Sequence, residues 1–465
     1  MGIISLNIFR KEKAKNLLAE DTHFERSLNA KDLIALGIGA VIGTGIFILP
    51  GTAAATEAGP GIALSFLLAA IVCILAAMCY AEFASAIPVA GSAYSYGNIV
   101  YGELVGWILG WALILEYMLA VAAGAAGFSS YFRSFIKPLG IKLPAFISGP
   151  MNLKNGTYCD IVAIIAVLIV GYLLSRGMHT SIKVNNFAVL VKVAIVILFI
   201  IIGIFFIKPT NYHPFFPYHL SGVLKGSTTV FFAYLGFDTV SASAAEVKNP
   251  QKNMPKGIIG TLAIVSALYM LVALVLTGMV KYTKLNVANP VAFALQLVHQ
   301  DWAAELLSIG ILLGMATMML TMIYSSSRLV YAMARDGLIP HFFAKLDKKH
   351  NSPQRALWCV SIIIAAAGGI FSVNQLASLV NIGTLLAFTF VSFGIIPLRK
   401  RADLKNDGYK VPLYPFIPIL SGIISIFMLS QLNKQMWTVA GIWFIIGLII
   451  YFSYGYWHSQ LQSEN

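Results

Sequence analysis

The chain has 465 residues, 58% of them hydrophobic and 11% charged, with a formal net charge of +13. That much apolar side chain cannot be hidden in one water-soluble core, so the composition excludes an ordinary soluble globular protein and points to lipid as the main solvent. Long apolar runs here read as spanning helices, because a bilayer core of about 30 Å needs about 20 residues of helix.

In chain order, residues 1–31 form a polar tail without a cleavable signal pattern. Twelve candidate spans follow, at 33–56, 62–87, 103–132, 160–174, 187–207, 223–245, 258–280, 304–334, 357–371, 376–398, 416–432 and 437–457. An even number of spans puts both termini on one side of the membrane. The Lys/Arg distribution selects that side: 21 fall in segments that share the N-terminus's face and 9 in the opposite ones. The positive-inside rule therefore predicts that both termini are cytoplasmic, in a multi-pass protein of the cell membrane. Topology and attraction to anionic lipid account for the net charge, and no nucleic-acid partner is expected.

The cysteines, Cys73, Cys79, Cys159 and Cys359, show no CxxC spacing, and the eight histidines show no metal-ligand spacing. No disulfide framework, metal site or cofactor is expected, and no enzyme activity. No polar stretch is long enough to build a soluble domain of its own.

Two spans are interrupted in composition. In the first, Gly37, Gly39, Gly43 and Gly45 crowd the middle of the segment. Glycine costs about 1 kcal/mol relative to alanine in a helix, so the cluster predicts local unwinding. Gly39 and Gly43 also make a GxxxG face, and a helix-packing role stays open beside the unwinding. In the sixth, Phe231 to Asp238 carries Gly236 and a carboxylate at membrane depth. Broken helices five spans apart are the pattern of an inverted five-plus-five repeat, whose broken helices meet at the midplane to form the substrate site.

Charges inside spans are functional candidates, since each is costly unless paired. Glu116 lies roughly 20 Å of helix past Glu103, and Lys192 roughly 9 Å into the fifth span. Glu116 reads as part of a substrate or proton network, or as a hydrogen-bonded structural carboxyl. Asp238 either joins that chemistry or braces the broken sixth helix. Glu82 and Glu246, near the predicted cytoplasmic ends, read as solvated or inner-gate groups.

Three motifs together carry a resemblance: Gly37 to Phe47, Pro88 to Tyr94, and Phe231 to Asp238 continuing to Glu246–Pro255. The chain resembles the amino acid-polyamine-organocation superfamily over most of its length, most closely the bacterial cationic-amino-acid-transporter-like permeases. The resemblance implies an all-α polytopic LeuT-type fold of twelve transmembrane helices, with helices 1 and 6 broken. Residues 32–398 would form the ten-helix inverted-repeat core, 399–457 the peripheral helices 11 and 12 with the loop before them, and 458–465 a cytoplasmic tail. It also implies secondary active, proton-coupled amino-acid import by alternating access.

Unwound helix ends can hold an amino acid without buried side-chain charge. N–H groups at the start of a half-helix suit its carboxylate and free carbonyls at the end of one suit its ammonium. On that logic Thr44 and Gly45 hold the carboxylate, and the missing Cβ atoms of Gly43 and Gly45 let the ligand approach the backbone. The resemblance assigns the ammonium to carbonyls near Ile42, Phe232, Ala233 and Leu235, makes Phe232 the gate over the substrate, and turns Met322 towards the substrate side chain. A methionine there fills volume, so small neutral or branched apolar amino acids are expected to be preferred. It implies that Lys192 faces the first and eighth helices and couples transport to protons, where a sodium symporter would need oxygen ligands. The implied partners are an amino-acid substrate, protons and membrane lipids, with a small membrane subunit left open. Cationic amino-acid uptake, exchange, or sensing with little transport are the competing functions.

Overall fold

The computed structural model describes residues 10–11, 26–89, 91–137, 140, 143–153, 156–176, 182–347, 353–401, 403, 408–432 and 434–463, and among these the regular structure is helical apart from isolated bridge pairs. Much of the predicted N-terminal tail thus lies outside the described residues. The first helix, α1 (Ala30–Val41), starts in a capping box: the Asn29 side chain accepts from the N–H groups of Lys31 and Asp32, and the Asp32 carboxylate accepts from the Asn29 N–H. It stops within the glycine cluster. Ile42 takes extended dihedrals (ψ 99°), Gly43 follows at φ −146° and ψ −140°, and helix resumes as α2 (Thr44–Ala53).

A π-helical turn, Ala54–Ala58, and a short 3-10 turn carry the chain into α3 (Ile62–Ala86). Then come α4 (Ala93–Val100), α5 (Glu103–Ile136), α6 (Ile161–Ser175), α7 (Ile182–Ile204) and α8 (His219–Val230). The second interruption follows: a 3-10 turn at Phe231–Tyr234, extended backbone at Leu235, Gly236 at φ +104°, and the short α9 (Asp238–Ala242). Then come α10 (Pro250–Met279), α11 (Pro290–Leu297), α12 (Asp301–Arg335), α13 (Gln354–Ile370), α14 (Val373–Lys400), α15 (Phe416–Ser430) and α16 (Lys434–Ile450), with short helical turns after it to Ser463.

Seven helical stretches among the described residues are long and apolar enough to cross a bilayer: Thr44–Ala86, Glu103–Ile136, Asn186–Ile204, Pro250–Met279, Asp301–Arg335, Val373–Lys400 and Lys434–His458. Three shorter apolar helices accompany them, α6, α13 and α15. The interruptions hide two further segments from the bilayer-length criterion: α2 is merged with α3 into one stretch, leaving α1 too short alone, and both halves of the second interrupted segment are too short.

α10 packs along α3 and α1, while α12 and α14 pack along α5. The run Ala120 to Gly127 makes α5 nearly smooth on one side, so its neighbours approach the backbone closely. The peripheral α16 docks on α5 through tryptophans. Trp111 Nε1 donates to the Trp443 carbonyl at 2.9 Å, Trp443 Nε1 donates back to the Trp111 carbonyl at 3.1 Å, and the rings stack at 4.5 Å.

Residues near both chain ends meet on one face. Arg10 pairs with Glu103 at 2.7 and 2.8 Å and donates to the Tyr456 carbonyl at 2.9 Å. The Gln460 N–H donates to the Asp336 carbonyl at 3.1 Å, and the N–H groups of Ser27 and Leu28 both donate to the Glu246 carbonyl at 3.0 Å. These contacts define the terminal face of the molecule.

Candidate functional site

The two interruptions lie against each other. A Cβ on Gly45 would stand 2.5 Å from the Ala233 Cα, a distance no real side chain tolerates, so glycine is what allows the first broken segment to touch the second. Gly236 is required for two reasons. Its φ of +104° disfavours any L side chain, and a Cβ would lie 3.2 Å from the Ala40 carbonyl and from the Met322 methyl.

The ends of the half-helices are partly committed. Tyr269 Oη donates to the Val41 carbonyl at 3.0 Å, and Tyr131 Oη to the Phe47 carbonyl at 2.9 Å. The Leu235 N–H donates to the Phe232 carbonyl at 3.2 Å, which occupies one acceptor proposed for an ammonium. At the start of α2 the opposite holds. Among the described residues Gly43 supplies no side-chain cap, and the Thr44 hydroxyl turns away to the Ala123 carbonyl at 3.5 Å. The first N–H groups of that helix, including those of Thr44 and Gly45, have no intrahelical partner and carry partial positive charge.

Lys192 is 2% exposed, and its Nζ donates to the Gly39 carbonyl at 2.7 Å, one turn before the break. Its stem crosses Gly314 of α12, where a Cβ would sit 3.1 Å from Cγ. The lysine thus bridges α7, α1 and α12.

Glu116 is 1% exposed, and among the described residues neither of its oxygens has a hydrogen-bond partner. Thr384 stands in the same neighbourhood, but its hydroxyl donates to the Val380 carbonyl at 3.3 Å. Asp238 opens α9, is 2% exposed, and accepts a hydrogen bond from Tyr117 Oη at 2.7 Å. Two acids thus share one buried neighbourhood between α5 and the second break. An unpartnered buried carboxylate is costly, so this place favours a proton or a cationic group.

Ile42, Gly43, Thr44, Gly45, Phe232, Ala233, Leu235 and Met322 are all buried around the paired interruptions. None of them, nor Glu116, lines the cavity that lies beside them. That cavity, of about 430 Å³, lies towards the terminal face, between Asp32 and Leu36 of α1, Thr239 to Glu246, and the last turns of α12 as far as Asp336. Its inner end reaches Tyr117, Thr239 and Thr321, the sequence neighbours of Glu116, Asp238 and Met322. The cavity is therefore a vestibule lined by sequence neighbours of the buried residues at the breaks and not by those residues themselves. Its rim carries Asp32, Glu246, Arg328 and Arg335.

Sequence reasoning did not single out Tyr117, Tyr269, Gly124 or Met318. The hydroxyl partners of backbone carbonyls leave no pattern in a sequence. Met318 does, since it lies one helical turn before Met322.

Residues 28–453 match the family described as amino acid permease. The chain is similar to a methylthioribose transporter of Bacillus subtilis (strain 168), 46% identical over 458 residues, covering 98% of this chain and 99% of the relative. It is 42% identical to the branched-chain amino acid permease BcaP of the same organism, over 98% of this chain and 99% of the relative. Against the branched-chain amino acid permease BcaP of Lactococcus lactis subsp. cremoris (strain MG1363) it is 43% identical, over 94% and 96%. A family match across nearly the whole chain, on an apolar helical bundle with two adjoining broken segments, leaves one assignment: the chain belongs to the amino acid permease family and is a multi-pass membrane transporter, not an enzyme.

Proposed function

We propose that this permease imports small neutral or branched apolar amino acids across the cell membrane by alternating access, coupled to protons. One observation carries the reading: the uncapped start of α2 and the irregular backbone of the second interruption lie side by side at Gly45 and Ala233. Backbone N–H groups at the first suit the substrate carboxylate, and carbonyls of Ile42, Ala233 and Leu235 suit its ammonium. Phe232 closes over the bound amino acid and Met322 meets its side chain. The similarity to two branched-chain amino acid permeases supports the same substrate class.

Counting the two interrupted segments as spans, with the seven long and three shorter helices, gives twelve in the LeuT-type arrangement. The first ten form the transport core between a tail ending at residue 31 and the peripheral α15 and α16. The terminal face is the cytoplasmic one in this reading, supported by its excess of Lys and Arg. Lys192, hydrogen-bonded to the Gly39 carbonyl, holds the first broken segment when charged and releases it on losing a proton. Glu116 is the second proton-handling group, since a buried carboxyl without a partner is comfortable only when neutral or facing a cation.

Similarity to a methylthioribose transporter favours a second reading, in which a neutral thioether sugar is the substrate. Uptake of labelled leucine, alanine, arginine and methylthioribose into proteoliposomes, under imposed proton or sodium gradients, separates the two. Leucine and alanine accumulation driven by protons and indifferent to sodium is expected. Accumulation of methylthioribose alone would replace the amino-acid reading with the second.

A further inference from the structure

α12 carries four methionines on two successive turns, Met315, Met318, Met319 and Met322, all buried. Met318 and Met322 stand four residues apart and so project from the same helix face. Each reaches a glycine of a different interruption. The Met322 methyl lies against Gly236, and the Met318 sulfur fills the space beside Gly43, where a Cβ would come within 2.5 Å of Sδ. The far side of Met318 is Gly124 of α5, whose Cβ would stand 3.3 Å from the methionine methyl and 3.5 Å from the sulfur. Met318 therefore occupies a slot between two glycines, one on the broken first segment and one on the smooth stretch of α5.

We propose that Met318 determines side-chain specificity together with Met322: its thioether forms the wall against which the substrate side chain packs. The inference rests on the reading of the paired interruptions as the amino-acid site, and deepens it. If the substrate carboxylate sits at the start of α2, its Cα lies beside Gly43. The group that fills the volume next to Gly43 then sets how large a side chain can follow. Methionine suits that position, because its unbranched chain has three rotatable bonds and a polarizable sulfur that adapts to apolar partners of several shapes. The slot can yield to unbranched thioether and branched aliphatic side chains, and it is closed to aromatic ones. Its glycine walls matter as much as the methionine. An alanine at Gly124 would press the methionine methyl towards Gly43 and shrink the space.

The test is competition against labelled alanine uptake in proteoliposomes, with alanine, leucine, methionine and phenylalanine as competitors. Wild type is expected to be blocked by leucine and methionine and hardly by phenylalanine. Met318→Ala should raise the effectiveness of phenylalanine relative to alanine by about tenfold, the scale on which side-chain volume discriminates substrates. Gly124→Ala should move the ratio of leucine to alanine the other way, with thermal stability in detergent followed for both variants. Met318→Leu, similar in volume but branched and stiffer, should narrow the range by weakening methionine more than alanine. If all competitors lose effectiveness together in the Met318 variants, in step with a fall in thermal stability, the residue is a packing group and the inference is overturned. A wild type that transports no amino acid would overturn the underlying reading, a result distinct from an unchanged selectivity ratio in variants that still transport.

Discussion

At the scale of single residues, the informative groups are those whose chemistry is costly where they sit. Lys192 was legible because a lysine inside an apolar run is rare, but its partner, the Gly39 carbonyl 2.7 Å away, could not be read from spacing. A hydrogen bond from a charged donor contributes about 1.5–3 kcal/mol, enough to hold one segment of backbone in one of two positions. Lys192→Met keeps the stem against Gly314 and removes the donor. It should fold, and should exchange internal for external substrate, yet lose concentrative uptake under a proton gradient. Undiminished accumulation would remove the lysine from the coupling. Met322 is the second residue-scale case. Its methyl rests on Gly236, so Met322→Ser opens volume and adds a hydroxyl there. Competition assays should show arginine and lysine becoming effective against labelled alanine, while leucine loses ground. A wild type already carrying arginine best would reverse the size argument.

At the scale of elements, the first break was readable and its neighbours were not. Four clustered glycines mark where helix propensity is lowest, and the chain leaves helical dihedrals at Ile42 and Gly43 within that cluster. What the cluster does not say is why each glycine is there. Gly45 answers to Ala233 and Gly43 to Met318, contacts between residues distant in sequence. Of the two expectations for Glu82, the solvated one fails and the inner-gate one stays open: the residue is 1% exposed and pinned by Arg399 at 2.7 and 2.8 Å, with the Val411 N–H donating to it at 2.6 Å. Together with the Tyr409 N–H donating to Ser85 Oγ at 3.1 Å, it ties the loop before α15 to the end of α3. Its partner Arg399 is about a quarter exposed, which weakens the pair relative to a fully dry one. Glu82→Ala should therefore cost about 1–3 kcal/mol, because it leaves the Val411 N–H without its acceptor and the Arg399 guanidinium with only the Val411 carbonyl, the Tyr414 ring and solvent. Adding Arg399→Ala should cost less than the sum of the two single changes. Thermal unfolding of the four proteins in detergent gives the coupling directly, and strict additivity would mean the pair holds nothing.

At the scale of the whole molecule, the apolar helical bundle was legible from composition, because a lipid solvent constrains a chain more tightly than water does. The position of the cavity was not. It depends on how helices distant in sequence pack against one another, which no local pattern records. The cavity separates α1 and residues 239–246 from α12 and the Tyr94 region, and it opens on the face where Arg10, Leu28 and Gln460 meet other parts of the chain. Towards the opposite face the path is filled where α2 meets Ala233 and α5, with Thr44 beside Gly127 and Tyr131 bound to the Phe47 carbonyl. This arrangement admits ligand from the terminal face, and sided labelling tests it. Ser325 lines the cavity, so a cysteine placed there reports access. Cys73 and Cys79 are buried, while Cys159 and Cys359 are partly exposed and are first changed to serine. In that background, Ser325→Cys should react with a membrane-impermeant maleimide in inside-out vesicles and not in right-side-out ones. Reaction confined to right-side-out vesicles would reverse the orientation of the chain. Equal reaction in both would mean that the cavity, as drawn between α1 and α12, is not a one-sided vestibule. Leucine added during labelling should slow the reaction if, as alternating access at a site near Gly43 and Gly45 requires, bound substrate favours a state in which the vestibule is closed.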